Sequence, residues 1–503
     1  MKNSTDLFEL IKSLEKNEKR YFKLFASLQE GEKNHLKLFN SIDRQQTYNE
    51  ESIRKEYAHE KFIKHVSKEK VRLYRLIMKS LELYHSNMDV DTVLKSSLHQ
   101  LKILFQKGLY KQCEKLINKT KQVSEKYEKH LVLLELSDWE IKLNNAQSFL
   151  GKTEEEMGKF YREVFSINTQ YINVKKYEQL SVKIFMRTYI GGAVRNEDDL
   201  MIYQNIMNDS LLHSEKPLTY LSQYHYYNIY SAYFFYRNDF VNAYSYAKEL
   251  VALMGTHPHQ IKEKLQGYLS MLGNLLTCQF NLKKYDEMAL TIAKVKDIST
   301  KSKQIQSQLF FMANYTELNM YIDTGEFNNG IKLITFIQNE ISKISLSKNN
   351  EISLYYSISY IYFGIGRYHD AKNYLNKIIN DTTNDLRSDL YCMARIILLI
   401  VHYELGHEEL LEYMEKSAHR YLDKKDRLYK VETSILDFMR KKIPKIITAQ
   451  EWLTAFKELK TELEEITKDS FEKKGLEYFD FISWLESKIE NRAFAEIVKE
   501  KMK

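Results

Sequence analysis

The fold of this chain is decided by a short motif that is clearest at residues 366–371, where the sequence reads Gly-Arg-Tyr-His-Asp-Ala. A glycine is followed two positions later by an aromatic residue and, three positions after that, by a small residue. The motif recurs as Gly108 with Tyr110 and Cys113, as Gly325 with Phe327 and Gly330, and, without the glycine, as Asn238 with Phe240 and Ala243. Such recurrence predicts a stack of similar helical pairs rather than one closed core.

The spacing of the motif sets the size of the repeating unit. Successive aromatic positions are 45, 42 and 41 residues apart along the series Phe240, Tyr285, Phe327 and Tyr368. Degenerate copies of the motif lie near Gly151 with Phe160, in the loop 195–198 and at Gly406. At this period the pattern predicts about eight helix pairs between about residues 92 and 440.

This unit resembles the tetratricopeptide repeat (TPR), whose helix A ends at an aromatic residue and whose helix B begins with Gly-x-aromatic-x-x-Ala. The copy around Gly366 carries every feature, at Tyr355, Ile358, Ser359, Tyr362, Gly366, Tyr368, Ala371 and Leu375. The proline that usually ends helix B is absent, and the period exceeds the usual ~34 residues. The resemblance implies an all-α, right-handed, TPR-like solenoid of antiparallel helix pairs, with helices of about 16 to 18 residues. The whole arrangement resembles uncharacterised bacterial proteins that contain such repeats.

Composition favours the same fold class. The 503 residues include 3 Pro and 15 Gly, and 44% are hydrophobic and 28% charged, as amphipathic helices require. The longest apolar run, residues 396–401, is far shorter than the ~20 residues that span a bilayer. Cys113, Cys278 and Cys392 lie far apart, which indicates reduced thiols. We therefore expect a cytoplasmic protein without membrane insertion.

Residues 1–88 lack the repeat and are predicted to form a basic helical domain. Residues 1–85 contain 18 Lys and Arg against 13 Asp and Glu. A long helix is predicted from Lys61 to Tyr84, followed by a hinge at residues 87–91. At 100° per residue, six basic residues fall within about 80° of one another, opposite an apolar face. This basic stripe consists of Lys61, Lys64, Lys68, Arg72, Arg75 and Lys79.

Two interpretations of the basic stripe remain open. In the first, it is a solvated face, or one neutralised by acidic residues of the first repeats. In the second, it contacts an anionic partner, either nucleic-acid phosphates or an acidic protein. Like charges repel at helical spacing, which suggests an anionic partner, but the small net charge of this domain favours the first interpretation. A helix-turn-helix could place residues 49–59 before this helix, but no turn glycine separates the two.

Residues 220–246 are unusually aromatic, with twelve Tyr and Phe. At helical spacing such rings mostly pack one repeat against the next. Because the segment holds so many, some are expected to line a solenoid groove as a surface for a peptide or a helical partner. The candidate residues for this predicted groove are Tyr220, Tyr224, Tyr227, Tyr230 and Tyr233.

No spacing in the sequence indicates a catalytic, cofactor or metal site. His402 and His407 are five positions apart and His257 and His259 two, whereas a helical metal site needs i, i+4 spacing and a third ligand. Residues 364–366, Gly-Ile-Gly, lack the preceding strand and third glycine of a phosphate loop. We therefore expect no catalytic residues, no cofactor and no metal.

The C-terminal part, residues 443–503, is predicted to be a helical cap on a solenoid that spans residues 89–442. Pro444 interrupts the helical pattern. Thr448 and Glu451 then form a capping box before a predicted helix over residues 452–467. An apolar stripe follows at Tyr478, Phe479, Phe481, Trp484, Leu485 and Ile489. Solenoids must cover their last exposed face. The alternative is a helix that docks on a partner.

Together these features predict a non-enzymatic scaffold or adaptor for protein-protein interaction, which binds a peptide or helical partner in a solenoid groove. The alternative is a nucleic-acid-associated regulator, whose basic stripe contacts phosphates while the repeats sense a partner or peptide. The sequence names neither the partner protein nor the nucleic acid.

Overall fold

The computed structural model describes residues 5–28, 34–86, 89–191, 197–381, 387–425, 427–469 and 472–502. Within these residues the regular elements are helices, and no β-strand occurs among them. The chain begins with α1 (Asp6–Ser13), α2 (Lys16–Ser27), α3 (Asn34–Arg44), α4 (Glu50–Glu56) and α5 (Val66–Tyr84). It ends with α23 (Lys430–Asp437), α24 (Ala449–Ile466), α25 (Phe481–Glu490) and α26 (Phe494–Lys501).

Between these two groups lie the repeats. Their helices are α6 (Val90–Gln106), α7 (Tyr110–Lys126), α8 (His130–Ala146), α9 (Glu154–Gly191), α10 (Glu197–Met207), α11 (Ser210–Ser214), α12 (Tyr220–Tyr236), α13 (Phe240–Gly255), α14 (Pro258–Glu263), α15 (Leu265–Asn281), α16 (Tyr285–Lys296), α17 (Lys303–Asp323), α18 (Phe327–Glu340), α19 (Lys348–Gly364), α20 (Tyr368–Ile379), α21 (Ser388–Glu404) and α22 (Glu408–Lys424). Most form antiparallel pairs, in which we call the first helix A and the second helix B. The predicted fold class, an all-α solenoid of helix pairs, is confirmed.

The chain divides into two compact units. The first contains residues 1–182, 208–226 and 257–263, and the second contains residues 183–207, 227–256 and 264–503. In the first unit, α6, α7 and α8 pack on one another in order. In the second, each helix from α15 to α22 packs on the next. The predicted boundaries at residues 88 and 442 stay a prediction.

Within the pairs, one turn geometry recurs. The residue two positions before helix B has a positive φ, between 55° and 73°, at Gly108, Asn238, Lys283, Gly325, Gly366 and Gly406. The next amide donates to the carbonyl five residues back, as from Arg367 N to Tyr362 O at 2.9 Å. This is the Schellman arrangement, which glycine enters without a Cβ penalty. The recurring glycine of the motif is therefore a turn residue and not part of a phosphate loop.

The small residue of the motif lies where helix B meets helix A. Cys113, Ala243 and Ala371 are all buried. At Gly330 a Cβ atom would come within 2.6 Å of Ile361 Cδ1 on α19. Close helix contact is therefore present at Gly330, and the other three small residues are buried as the motif predicts.

Two predictions about the repeats were wrong. α9 runs unbroken for 38 residues, because residues 159–190 contain no glycine or proline that would end it. A single helix therefore runs through a position where the boundary between two helix pairs was predicted. Residues 195 and 196 of the predicted loop 195–198 lie outside the described residues. Some B helices are also shorter than expected, with 12 residues in α16 and in α20 and 14 in α18, while α7 and α22 have 17.

The N-terminal helices form a small core in which α2 and α3 pack on α5. Phe22, Phe39 and Leu73 are fully buried there. The predicted helix from Lys61 begins only at Val66, because residues 61–65 form a 3-10 segment whose adjacent residues Phe62 and Ile63 are both buried. In the predicted hinge, residues 87 and 88 lie outside the described residues.

The C-terminal helices fold back onto the repeats of the second unit. The predicted capping box is present, with Thr448 and Glu451 each bonding the other's backbone at the start of α24. Phe479, Trp484 and Phe494 are buried in the same core as helices α17 to α22. The segment thus contacts several pairs, which is more than a cap on the last pair requires.

Candidate functional site

The A helices of the second unit lie side by side, with α15 against α17, α17 against α19, and α19 against α21. The repeat spacings of 42 and 41 residues give each position an equivalent on the next A helix. We call the surface made by two such series the A-helix face. The series are Gly273, Tyr315 and Tyr356, and Thr277, Asn319 and Tyr360.

On α19, the A-helix face is occupied by the chain itself. Tyr356 Oη donates to the carbonyl of Tyr478 at 2.9 Å, and Tyr360 Oη accepts from the amide of Asp480 at 3.0 Å. The ring of Phe479 lies 5.0 Å from that of Tyr360. Burial is the main cause that raises the pKa of both Tyr356 and Tyr360. Two tyrosines thus hold an aromatic segment by its backbone and by ring contact.

A cavity of about 460 Å³ opens between α15 and α17 on the same face. Its walls include Phe280, Phe311, Met312 and Tyr315, and within the described part of the chain no charged side chain lines it. Pockets that are mostly apolar with a few polar groups are the usual places for ligands and for anchoring side chains. The A-helix face therefore offers an open apolar site beside an occupied one.

Gly273 lines the cavity. The equivalent positions on the next two A helices are Tyr315 and Tyr356, so the space corresponds to a tyrosine side chain that α15 lacks. A Cβ atom at position 273 would lie 3.5 Å from Met312 Cε, an ordinary contact. The sequence signal was present, since aligning the A helices shows a glycine in a series of tyrosines. This signal was missed because the density of aromatic residues, which is highest on α12, pointed to a different surface.

The predicted groove tyrosines all lie on α12, but the structure does not present them as one exposed surface. Tyr220 and Tyr233 are buried, and Tyr224, Tyr227 and Tyr230 are half-buried. Burial, with the nearby Tyr224 and Glu128, raises the pKa of Tyr220 to about 12. The Tyr230 ring stacks on Tyr246 of α13 at 4.7 Å. Tyr220 and Tyr233 are therefore core residues and not groove residues, because both side chains are buried.

All six residues of the basic stripe are exposed. Lys61 and Lys64 lie on the 3-10 segment, while Lys68, Arg72, Arg75 and Lys79 lie on α5. Within the described residues, none of the six has an ion-pair partner within 4.0 Å, although Glu69 and Glu82 lie three positions from Arg72 and Lys79. By contrast, Lys70 on the same helix is buried and bonds Glu50 at 2.9 Å.

Among the described residues, the remaining candidate groups do not assemble into a metal site, and the three thiols are buried. Burial raises the pKa of the thiols of Cys113, Cys278 and Cys392, to about 12 for Cys278 and about 11 for Cys392. Such thiols are poor nucleophiles at neutral pH. His402 and His407 place their Nδ1 atoms 3.1 Å apart, but among the described residues no three groups come together as metal ligands.

Comparison with known proteins gives little further guidance. No protein-family model and no curated protein matches the sequence. Among solved structures, the chain resembles the apo form of RapI, with a TM-score of 0.43 and 13% identity over 80% of this chain and 99% of that one. A similarity at this level identifies neither family nor function. Among the described helices, none is both long and apolar enough to cross a bilayer.

Proposed function

We propose that this protein is a non-enzymatic scaffold that binds a segment of another protein on its A-helix face. One observation carries the proposal: at α19 this face already holds an aromatic segment through Tyr356 and Tyr360, and the equivalent surface beside α17 is open. A surface that binds one segment of its own chain has the shape and chemistry to bind another.

We further propose that the repeats are degenerate tetratricopeptide repeats and that the protein acts in the cytoplasm. Support for the repeat family comes from the unit around Gly366. Its turn glycine has φ of 73°, and Ile358, Ser359, Ala371 and Leu375 are all buried. The three cysteines are free and buried, which suits a compartment that keeps thiols reduced.

A photo-crosslinking amino acid tests the scaffold function in the cell that makes the protein. Placed at Thr277, an exposed position on the A-helix face, it should crosslink a discrete partner protein. The matched control is Leu290 on the B helix α16, which is 67% exposed and is not among the residues that line the cavity. The proposal is contradicted if position 277 gives no crosslinked protein, or only those that position 290 also gives.

A second function is favoured by a separate observation. The exposed basic stripe has no ion-pair partner among the described residues, so its six charges are available to an anionic partner. On this alternative the protein is a nucleic-acid-associated regulator, in which the stripe contacts phosphates and the repeats bind a partner. The salt dependence of nucleic-acid binding tests this alternative.

A further inference from the structure

The positions on α19 that are equivalent to the cavity between α15 and α17 already bind a segment of the chain, and that segment indicates what the cavity can bind. The repeat places Tyr315 and Asn319 of α17 in the positions that Tyr356 and Tyr360 hold on α19. On α19 these positions receive residues 478–480, whose backbone bonds the two tyrosine hydroxyls and whose Phe479 ring packs against Tyr360 and Phe363. Phe479 and Asp480 lie outside any helix, between the 3-10 segment Glu472–Glu477 and α25. The chain itself therefore shows which kind of segment this face accepts.

Groups that can bond a backbone stand at both equivalent positions of the cavity, but Asn319 offers amide donors where Tyr360 accepts from an amide. Within the described residues the Tyr315 hydroxyl makes no hydrogen bond, so it can donate to a carbonyl as Tyr356 does. Asn319 accepts from Ser357 Oγ at 3.0 Å through Oδ1, which leaves its amide hydrogens for an incoming backbone. The Tyr315 ring stacks on Phe311 at 5.0 Å, and Met288 and Met312 supply adaptable apolar contacts.

We infer that the cavity is an anchoring site for an uncharged aromatic side chain on a short extended segment of a partner protein. Tyr315 and Asn319 bind the backbone of that segment, and its ring enters the space left by Gly273. The site lies directly beside the stretch filled by residues 478–480, so the partner segment continues an existing interface. This inference rests on the proposed scaffold function and names the partner's recognition element.

The probe is N-acetyl-tyrosinamide, which carries an aromatic ring between two amide groups. With methyl-labelled methionine in the full chain, its addition should shift the NMR signals of Met288 and Met312, which line the cavity. The signal of Met254, buried in α13, should not move. N-acetyl-lysinamide at the same concentration should shift none of them, because a charge in an uncharged cavity loses its hydration without compensation.

Two variants and a control link the shifts to the cavity. Gly273→Tyr fills the cavity with the residue that the equivalent positions carry, and should abolish the shifts. Tyr315→Phe removes only the hydroxyl and should weaken probe binding about tenfold, the ratio that corresponds to one hydrogen bond of ~1.4 kcal/mol. Gly255→Tyr is the control, because a Cβ atom there meets nothing within 4 Å, and it should leave the shifts unchanged.

Several results would overturn the inference. These are the absence of shifts with the tyrosine amide, equal shifts with the lysine amide, or shifts that persist in a folded Gly273→Tyr variant. A second measurement separates its failure from that of the scaffold function. If Gly273→Tyr abolishes crosslinking from position 277, the cavity is the partner's anchor. If crosslinking persists in that variant, the anchoring site is wrong while the scaffold function stands.

Discussion

At the scale of single residues, close helix contact makes glycine irreplaceable at some positions and dispensable at others. Gly364 and Gly255 are each the last residue of a helix, α19 and α13. A Cβ atom on Gly364 would lie 2.6 Å from Cγ of Phe327, whereas one on Gly255 meets nothing within 4 Å. Phe327 is itself buried and cannot easily move aside.

We therefore expect opposite effects from the same substitution. Gly364→Ala should lower the free energy of unfolding by about 1–3 kcal/mol through overpacking. Gly255→Ala should leave it unchanged or raise it by up to about 1 kcal/mol, since alanine is the better helix former. Chemical denaturation of the two variants beside the wild type measures both. Equal effects would show that Phe327 does not constrain position 364.

Residue patterns predicted the contacts of neighbouring repeats well. The burial of Cys113, Ala243 and Ala371 and the close approach at Gly330 followed from the motif, because its short spacing recurs from repeat to repeat. The left-handed turn residues Asn238 and Lys283 were harder to predict as such, since neither is glycine. Asparagine tolerates this conformation, but lysine has no such preference, and its φ of 55° is imposed by the turn.

At the scale of elements, the sequence predicted helices but not where every helix ends. α9 continues for 38 residues where a pair boundary was expected, because no breaker residue interrupts it and an aromatic motif alone does not end a helix. Helix α5 was predicted with its basic stripe. Its start was misplaced because residues 61–65 form a 3-10 segment, which the spacing of the basic residues did not distinguish from a turn of α-helix.

The basic stripe allows a decisive test at this scale. If it binds phosphates, the affinity for duplex DNA should fall by about 0.9 log units per log unit of salt for each phosphate contact, and by about 0.7 for single strands. Reversing the charge at Lys64, Lys68, Arg72 and Arg75 should abolish binding without loss of helicity, because all four are exposed. Mobility-shift assays with DNA and RNA over a salt series, together with circular dichroism, measure this.

The chain supplies a matched control on α7. Lys107, just before this helix, and Lys111, Lys115 and Lys119 on it are also exposed and four positions apart. Reversing these four charges changes the net charge by the same amount but leaves the basic stripe intact. If both quadruple variants lose binding equally, the effect is one of net charge and not of the stripe. If the wild type shifts no nucleic acid at low salt, the regulator function is excluded.

At the scale of the whole molecule, the C-terminal segment was the least predictable part. Its helix, its capping box and its apolar stripe followed from the sequence. The docking of that stripe did not, because the contacts between Tyr356 and Tyr478, or Tyr360 and Asp480, join residues about 120 positions apart. For the same reason the cavity on the A-helix face was not predicted. It is formed by the absence of a side chain on α15 beside side chains on α17.

This docking ties the last helices to the stability of the repeats beneath them. Trp484 is buried, its indole Nε1 donates to Glu404 at the end of α21 at 2.7 Å, and its ring packs against Tyr403. Trp484→Ala should cost about 3–5 kcal/mol. Because repeats interact mainly with their neighbours, the loss should be local. Hydrogen exchange followed by mass spectrometry should show faster exchange in α19, α21 and α25, with α6 to α8 unchanged.

The half-exposed Phe336 on α18 provides the control, since Phe336→Ala leaves the docked segment in place. Faster exchange throughout the chain would mean that the molecule unfolds as one cooperative unit, and faster exchange in α25 alone would mean that the segment contributes nothing to the repeats on which it lies.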